Sequence, residues 1–134
     1  MTIRYLNTDL DLMGPNDLTR LAAAFASRGL HPLHLARGGD GLWRATFETE
    51  RQYTEPEQTI AGMLDAFDAL AGTAASDWWA CTLREFNIGY DCGREPHAFN
   101  QGLSLPTLRR IVDAGAALRV TLYPEESPKP DPDC

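Results

Sequence analysis

The densest run of chemically capable side chains is Arg84-Glu85-Phe86-Asn87-Ile88-Gly89-Tyr90-Asp91-Cys92-Gly93-Arg94-Glu95-Pro96-His97, which mixes carboxylates, guanidinium groups, a phenol, a thiol and an imidazole. In an extended chain successive side chains alternate between faces, so Glu85, Asn87 and Gly89 point one way and Arg84, Phe86, Ile88 and Tyr90 the other. One stripe is polar, the other apolar. Continued into the segment that follows, the polar groups make Glu85, Asn87, Tyr90, Asp91, Glu95 and His97 the candidate binding residues, with Gly89 allowing close approach. Catalysis there would need an activated nucleophile, such as Cys92 beside His97, and a loop spacing of five residues does not build that dyad. No catalytic residue is assigned.

Other chemically suggestive residues have plainer explanations. His31 and His34 are three apart around Pro32, a spacing that puts them on opposite faces of a strand, whereas a metal needs convergent ligands. Asp9 and Asp11 alternate with leucines as a solvated strand face does, and no calcium-loop spacing surrounds them. Gly38-Gly39-Asp40-Gly41 has neither phosphate-loop nor dinucleotide spacing and precedes a strand pattern, so it reads as a hairpin turn. Trp43, Trp78 and Trp79 lack the basic rim of a base-stacking platform and read as core, with one of the adjacent pair facing out. No metal and no cofactor is assigned.

Net charge is −7 with 12 basic against 19 acidic residues, a balance that argues against nucleic acid and anionic membrane as partners and favours a basic protein. The apolar runs are far shorter than the roughly 20 residues that cross a bilayer. The N-terminus has no secretory pattern, and the odd cysteine count without a CxxC pair reads as free thiols. A complete, cytoplasmic protein is the expectation.

Periodicity supplies the elements that must carry these residues. Ile3 to Leu12 reads as a half-buried strand; Leu18, Leu21, Ala22 and Phe25 then fall at helical spacing up to a stop at Gly29. Leu30 to Arg37 and Leu42 to Glu50 read as a hairpin in which Trp43, Ala45 and Phe47 share a face. Thr54 and Glu57 have capping-box spacing before a helix carrying Ile60, Met63, Leu64, Phe67, Leu70 and Ala71. Residues 72–77 break it, Trp78 to Tyr90 reads as one long strand with a bulge or a buried early half, and Asp91 to Gly102 as a long loop. Ser104 caps a last helix ended by Gly115, and Leu118, Val120 and Leu122 alternate along a strand to Tyr123. From about Pro124 the proline-rich acidic composition reads as a disordered tail, giving one domain over residues 1–124 and a tail over 125–134.

The expected fold class is α+β in two layers: a ferredoxin-like β-α-β-β-α-β core with an added helix and strand, and a mostly antiparallel sheet of about five strands. Helices cover one face and leave the other open. The run Leu105-Pro106-Thr107-Leu108-Arg109-Arg110-Ile111-Val112, with Gly115 and the strand ending at Tyr123, resembles the close of an uncharacterised bacterial family of unknown function, DUF4279-like. Asp9-Leu10-Asp11-Leu12 before Asp17-Leu18-Thr19 is similar to that family's opening. The resemblance implies a bacterial cytosolic protein without known catalytic residues, and some small families of this kind resemble immunity proteins. The functional expectation is therefore a non-catalytic binding protein, immunity-like, with a homodimer as one arrangement; the alternative is a small enzyme or small-molecule binder using the loop after Tyr90.

Overall fold

The computed structural model describes residues 2–125. Nine elements follow one another: β1 (Arg4–Gly14), α1 (Thr19–Ala26), β2 (Leu30–Arg37), β3 (Trp43–Thr49), α2 (Pro56–Asp68), α3 (Gly72–Ala80), β4 (Leu83–Asp91), α4 (Leu105–Asp113) and β5 (Ala117–Tyr123). The strands form one mixed sheet in the order β2-β3-β1-β4-β5, antiparallel throughout except where β5 runs parallel to β4. This is the expected α+β class. The tail expected over 125–134 lies outside the described residues apart from Glu125.

Alternation along β1 sets the layers. Leu10 and Leu12 are excluded from water while Asp9 and Asp11, which alternate with them, are not, so one face of the sheet receives helices and the other stays open. Phe47 on β3 and Phe86 on β4 lie opposite Leu10 and extend the apolar face, against which α1 and α2 pack. Phe25 meets Phe47 edge-on at 5.1 Å and Trp78 at 6.1 Å, joining α1 to the sheet and to α3. The two helix stops read from sequence are glycines in the left-handed region, Gly29 at φ 82° and Gly115 at φ 66°; at Gly115 a Cβ would also meet the Trp79 ring at 2.9 Å.

The structure departs from expectation in three places. First, residues 72–80 are a helix, and the strand begins only at Leu83. Trp78 is wholly buried and packs at a tilt against Phe67 with ring centroids 4.8 Å apart, its indole Nε1 donates to the Ala114 carbonyl (2.9 Å), and Trp79 points outward. Aromatic β-propensity thus yields to tertiary packing. Helix α3 is tied to α1 by Asp77, buried completely, which accepts hydrogen bonds from Arg20 Nε (2.6 Å) and a second Arg20 nitrogen (3.0 Å). Arg84 then closes the C-terminal end of α3, donating to the carbonyls of Cys81 (2.7 Å), Trp78 (3.2 Å) and Gly115 (2.9 Å).

Second, β2 carries a register shift between Pro32 and His34, so His31 lies opposite Glu48 and His34 opposite Thr46. A bulge adds one residue to the alternation, and both histidines end on the open face instead of on opposite ones. Third, Thr54 and Glu57 do not form a capping box; the N-cap of α2 is Glu55, with no side-chain cap bond. Glu57 instead reaches α4, where it accepts from the Ser104 backbone N–H (2.8 Å), from Ser104 Oγ (2.7 Å) and from Thr107 Oγ1. Ser104 is the N-cap as expected, accepting from the Thr107 N–H, so α4 has a cap and a carboxylate against its positive end.

Burial raises the Glu57 pKa, but the hydrogen bonds from Thr107 and Ser104 outweigh it and leave the carboxyl below its ordinary value. A depressed folded-state pKa means stabilisation that is complete above the unfolded pKa and is lost as the pH falls through the folded one. Glu57→Ala should therefore lower stability by about 1–3 kcal/mol at neutral pH, measured by urea unfolding. The difference from wild type should shrink below about pH 4.

Candidate functional site

The six candidate residues do not form one patch. Glu85 and Asn87 stand on the open face, each engaged by β5: Glu85 Oε1 accepts from Arg119 Nε at 2.6 Å and Asn87 Oδ1 from Thr121 Oγ1 at 2.7 Å. Tyr90 lies on the opposite, helix-covered side, its ring 5.8 Å from Tyr5 and 5.9 Å from Phe99. Asp91, at the end of β4, pairs with Arg4 (3.0 Å). Glu95 contributes its backbone, which bridges to Thr2 and accepts from the Ile3 N–H, while its side chain and that of His97 are exposed in the loop. The alternation predicted along β4 is observed; the continuation of the polar stripe into the loop is not, because the chain turns away after Asp91. Gly89 does permit a close approach, since a Cβ there would lie 3.4 Å from the Asn7 carbonyl and 3.5 Å from the Tyr123 ring.

What gathers on the open face is a set of carboxylates from three strands. Asp11 lies directly opposite Glu85 across β1 and β4, and Asp9 opposite Asn87; Glu48 comes from β3. Opposed like charges on neighbouring strands are destabilising unless answered. Glu85 is answered by Arg119, and Asp11 accepts one hydrogen bond from Thr46 Oγ1 (2.8 Å). Among the described residues, Asp9 and Glu48 receive only the Asn7 amide, at 3.3 and 3.5 Å. Arg44, on the same face of β3, is committed to Asp40 of the hairpin turn at 2.8 Å. Among the described residues, no cationic side chain pairs with Asp9, Asp11 or Glu48.

The electrostatic result is a carboxyl pushed up to about 6 at Asp9, first by partial burial in the sheet and then by the charges of Asp11 and Glu48. The acids do not stand in open water either. Leu6, Leu33 and Tyr123 are exposed apolar side chains beside them and, with Asn7, Asp9 and Glu48, wall a shallow concavity of about 270 Å³. Asp11, Glu85, Arg119, His34, Met13 and Leu83 contribute to a neighbouring one of about 300 Å³. The Asp9 and Asp11 pair read from sequence as a solvated face is thus part of a larger acidic surface. Only strand register assembles it, and the one sequence signal was the alternation of acids with leucines.

Among the described residues no group of three His, Cys, Asp or Glu side chains is placed to hold a metal ion, and no helix is long and apolar enough to cross a membrane. Cys81 is buried, which drives its thiol up to about 11; Cys92 is half-buried, and both are free thiols. Cys92 and His97 are not hydrogen-bonded to each other. No family model matches the chain, and no curated protein or solved structure does.

For Asp9, a raised folded-state pKa means the folded protein holds the proton more tightly than the unfolded chain, so stability falls as the pH rises between about 4 and 6 and is flat above that. Asp9→Asn should therefore be more stable than wild type at pH 7.5 and equal to it near pH 3.5 in urea unfolding. The Asp9 carboxyl should titrate near 6 by carbon-detected NMR and move down in Glu48→Gln. A midpoint near 4 in wild type contradicts this account.

Proposed function

We propose that the protein is a non-catalytic binding protein that receives a basic protein partner on the open face of its sheet. The observation that carries this reading is the trio Asp9, Asp11 and Glu48, carboxylates held on the sheet without a cationic partner among the described residues and bordered by exposed Leu6, Leu33 and Tyr123. A solubility face spreads its charges apart and pairs them; here the charge is concentrated and beside apolar surface, the composition of an interface core and its rim. An Arg or Lys side chain reaching Asp9 would relieve the mutual repulsion of the acids while its aliphatic stem covers the leucines.

The net charge of −7 adds long-range attraction for the same partner and speeds encounter. The narrower form of this reading is an immunity-like inhibitor acting in the cytoplasm on a basic target such as a nuclease, whose own substrate site is cationic. On that reading Glu85, already neutralised by Arg119, adds no attraction of its own, and Asp91, Glu95 and His97 lie outside the contact.

The test is affinity capture from lysate of the source organism by wild type and by the triple variant Asp9→Asn, Asp11→Asn, Glu48→Gln. Wild type should retain one stoichiometric, basic protein that elutes as salt rises from about 0.05 M to 0.5 M and screening tightens, and the triple variant should retain at least tenfold less. Equal retention by the triple variant, or no retained protein at low salt, would sink the reading.

A further inference from the structure

Strand β5 is an edge of the sheet, and among the described residues no strand pairs with its far side. Its backbone parity follows from one bond: the Tyr123 carbonyl accepts from the Cys92 N–H (2.9 Å), so residue 123 turns its peptide groups toward β4. With a period of two, Arg119 and Thr121 do the same, and the N–H and C=O groups of Leu118, Val120 and Leu122 point away from the sheet. A row of donors and acceptors of this kind is a template for a further strand.

The sequence treats the two edges of the sheet differently. At the opposite edge, β2 carries Pro32 and a break in register before His34, both of which hinder the pairing of another strand. β5 has neither, running from Ala117 to Tyr123 in unbroken register with β4 and without a proline. Its one charged side chain, Arg119, is held by Glu85 of the same chain at 2.6 Å. The side chains on the outward-pointing residues are apolar and exposed, Leu118 at 41%, Val120 at 58% and Leu122 at 60%, with Tyr123 on the open face at 52%.

The occupant is identified by the fit of β5 to its own reverse. An antiparallel pairing about a two-fold axis at Val120 sets Val120 opposite its symmetry mate, Leu118 opposite the partner's Leu122, and Arg119 opposite the partner's Thr121. Apolar then meets apolar, and no like charges are directly opposed. The residues brought face to face are those whose peptide groups point outward, so each of these groups gains a partner. The strand edge with its exposed side chains offers on the order of 500–600 Å² per copy, which places the pair near the roughly 1,200 Å² at which specific interfaces begin, in the class of weak and reversible dimers. Charge does not forbid it: β1 of one copy would lie five strand spacings from β1 of the other, about 24 Å, well beyond the Debye length of about 8 Å.

We propose that two copies of this chain associate through β5, antiparallel about Val120, into one continuous sheet with both acidic faces on the same side. The pairing does not depend on the partner proposed for the acidic face.

Sedimentation of the wild-type chain should shift from monomer to dimer mass between about 1 and 300 µM, the range of a small reversible interface. Over the same range, hydrogen exchange at the amides of Leu118, Val120 and Leu122 should slow several-fold, whereas Arg119 and Thr121, already bonded to β4, should not change. Val120→Lys and Val120→Glu each place like charges on the axis and should remain monomeric with the melting midpoint retained. Mixed one to one, they should recover the dimer, because opposite charges then meet on the axis. Val120→Pro deletes an N–H that the β4 ladder does not use, so it provides a second monomeric variant if the charged ones fail to fold. Monomer mass for wild type at 300 µM, association undiminished in a folded Val120 variant, or a mixture of the two folded charge variants that stays monomeric would each overturn the assignment.

Discussion

Strand β1 serves two environments at once. Leu10 and Leu12 are withdrawn from water and Asp9 and Asp11, one residue away, face the open side, and because β1 pairs with both β3 and β4 neither set can shift without moving the whole sheet. Slipping the register by one residue would bury the carboxylates beneath α1 and α2 and present the leucines to water. The helix layer, the hairpin and the acidic surface all inherit their sides from this alternation. It also explains why the open face carries uncompensated charge at some cost in stability: the positions are dictated to be polar by the fold, but their being acidic and unpaired is not. The chain does pair charges nearby, at Arg119 with Glu85 and Arg44 with Asp40, so the lack of a cation at Asp9 among the described residues is a local choice of residues and not a shortage of arginine.

The periphery is held by a different device. Helix α4 buries little, chiefly Thr107 and Ile111, and depends on side chains sent from other elements to its two ends: Glu57 from α2 at the start, and Trp78 from α3 and Arg84 from β4 at the carbonyls of Ala114 and Gly115. Hydrogen bonds to charged groups at helix ends are worth more than neutral ones, which lets a thinly packed helix stay in place. The consequence reaches the next strand. Because α4 is fixed against α2 and does not lie over β5, Leu118, Val120 and Leu122 remain partly bare, and Cys92, Phe99 and Gln101 share an open concavity of about 390 Å³ with one end of that strip.

Much of this was legible in the sequence. The strand and helix periods, the Ser104 cap, the Gly29 and Gly115 stops and the glycine-rich hairpin are local signals, and the structure reproduces them. What was not legible depends on contacts distant in sequence. Helix α3 has no apolar stripe to announce it, since Trp78 is its one buried apolar residue; the bulge that brings His31 and His34 to one face is an insertion that alternation does not record; and Glu57 fits a local capping box while satisfying a helix some fifty residues on. The acidic surface fails for the same reason. Asp9 and Asp11 look solvated on their own strand, and become crowded only when register sets Glu85 and Glu48 beside them.

Strands β4 and β5 divide the chemistry between the two faces residue by residue. Asn87 and Gly89 look toward the carboxylates and Tyr90 toward the concavity; Thr121 and Tyr123 border the first, Val120 and Leu122 the second. Charge gathers on the open side around Asp9, while among the described residues the concavity beside Tyr90 is lined by apolar and uncharged polar side chains. Segregation of this kind costs no extra structure, because a single pair of strands with period two already presents two environments. It also means that each surface can be altered without touching the other, provided the substituted residue keeps its parity along the strand.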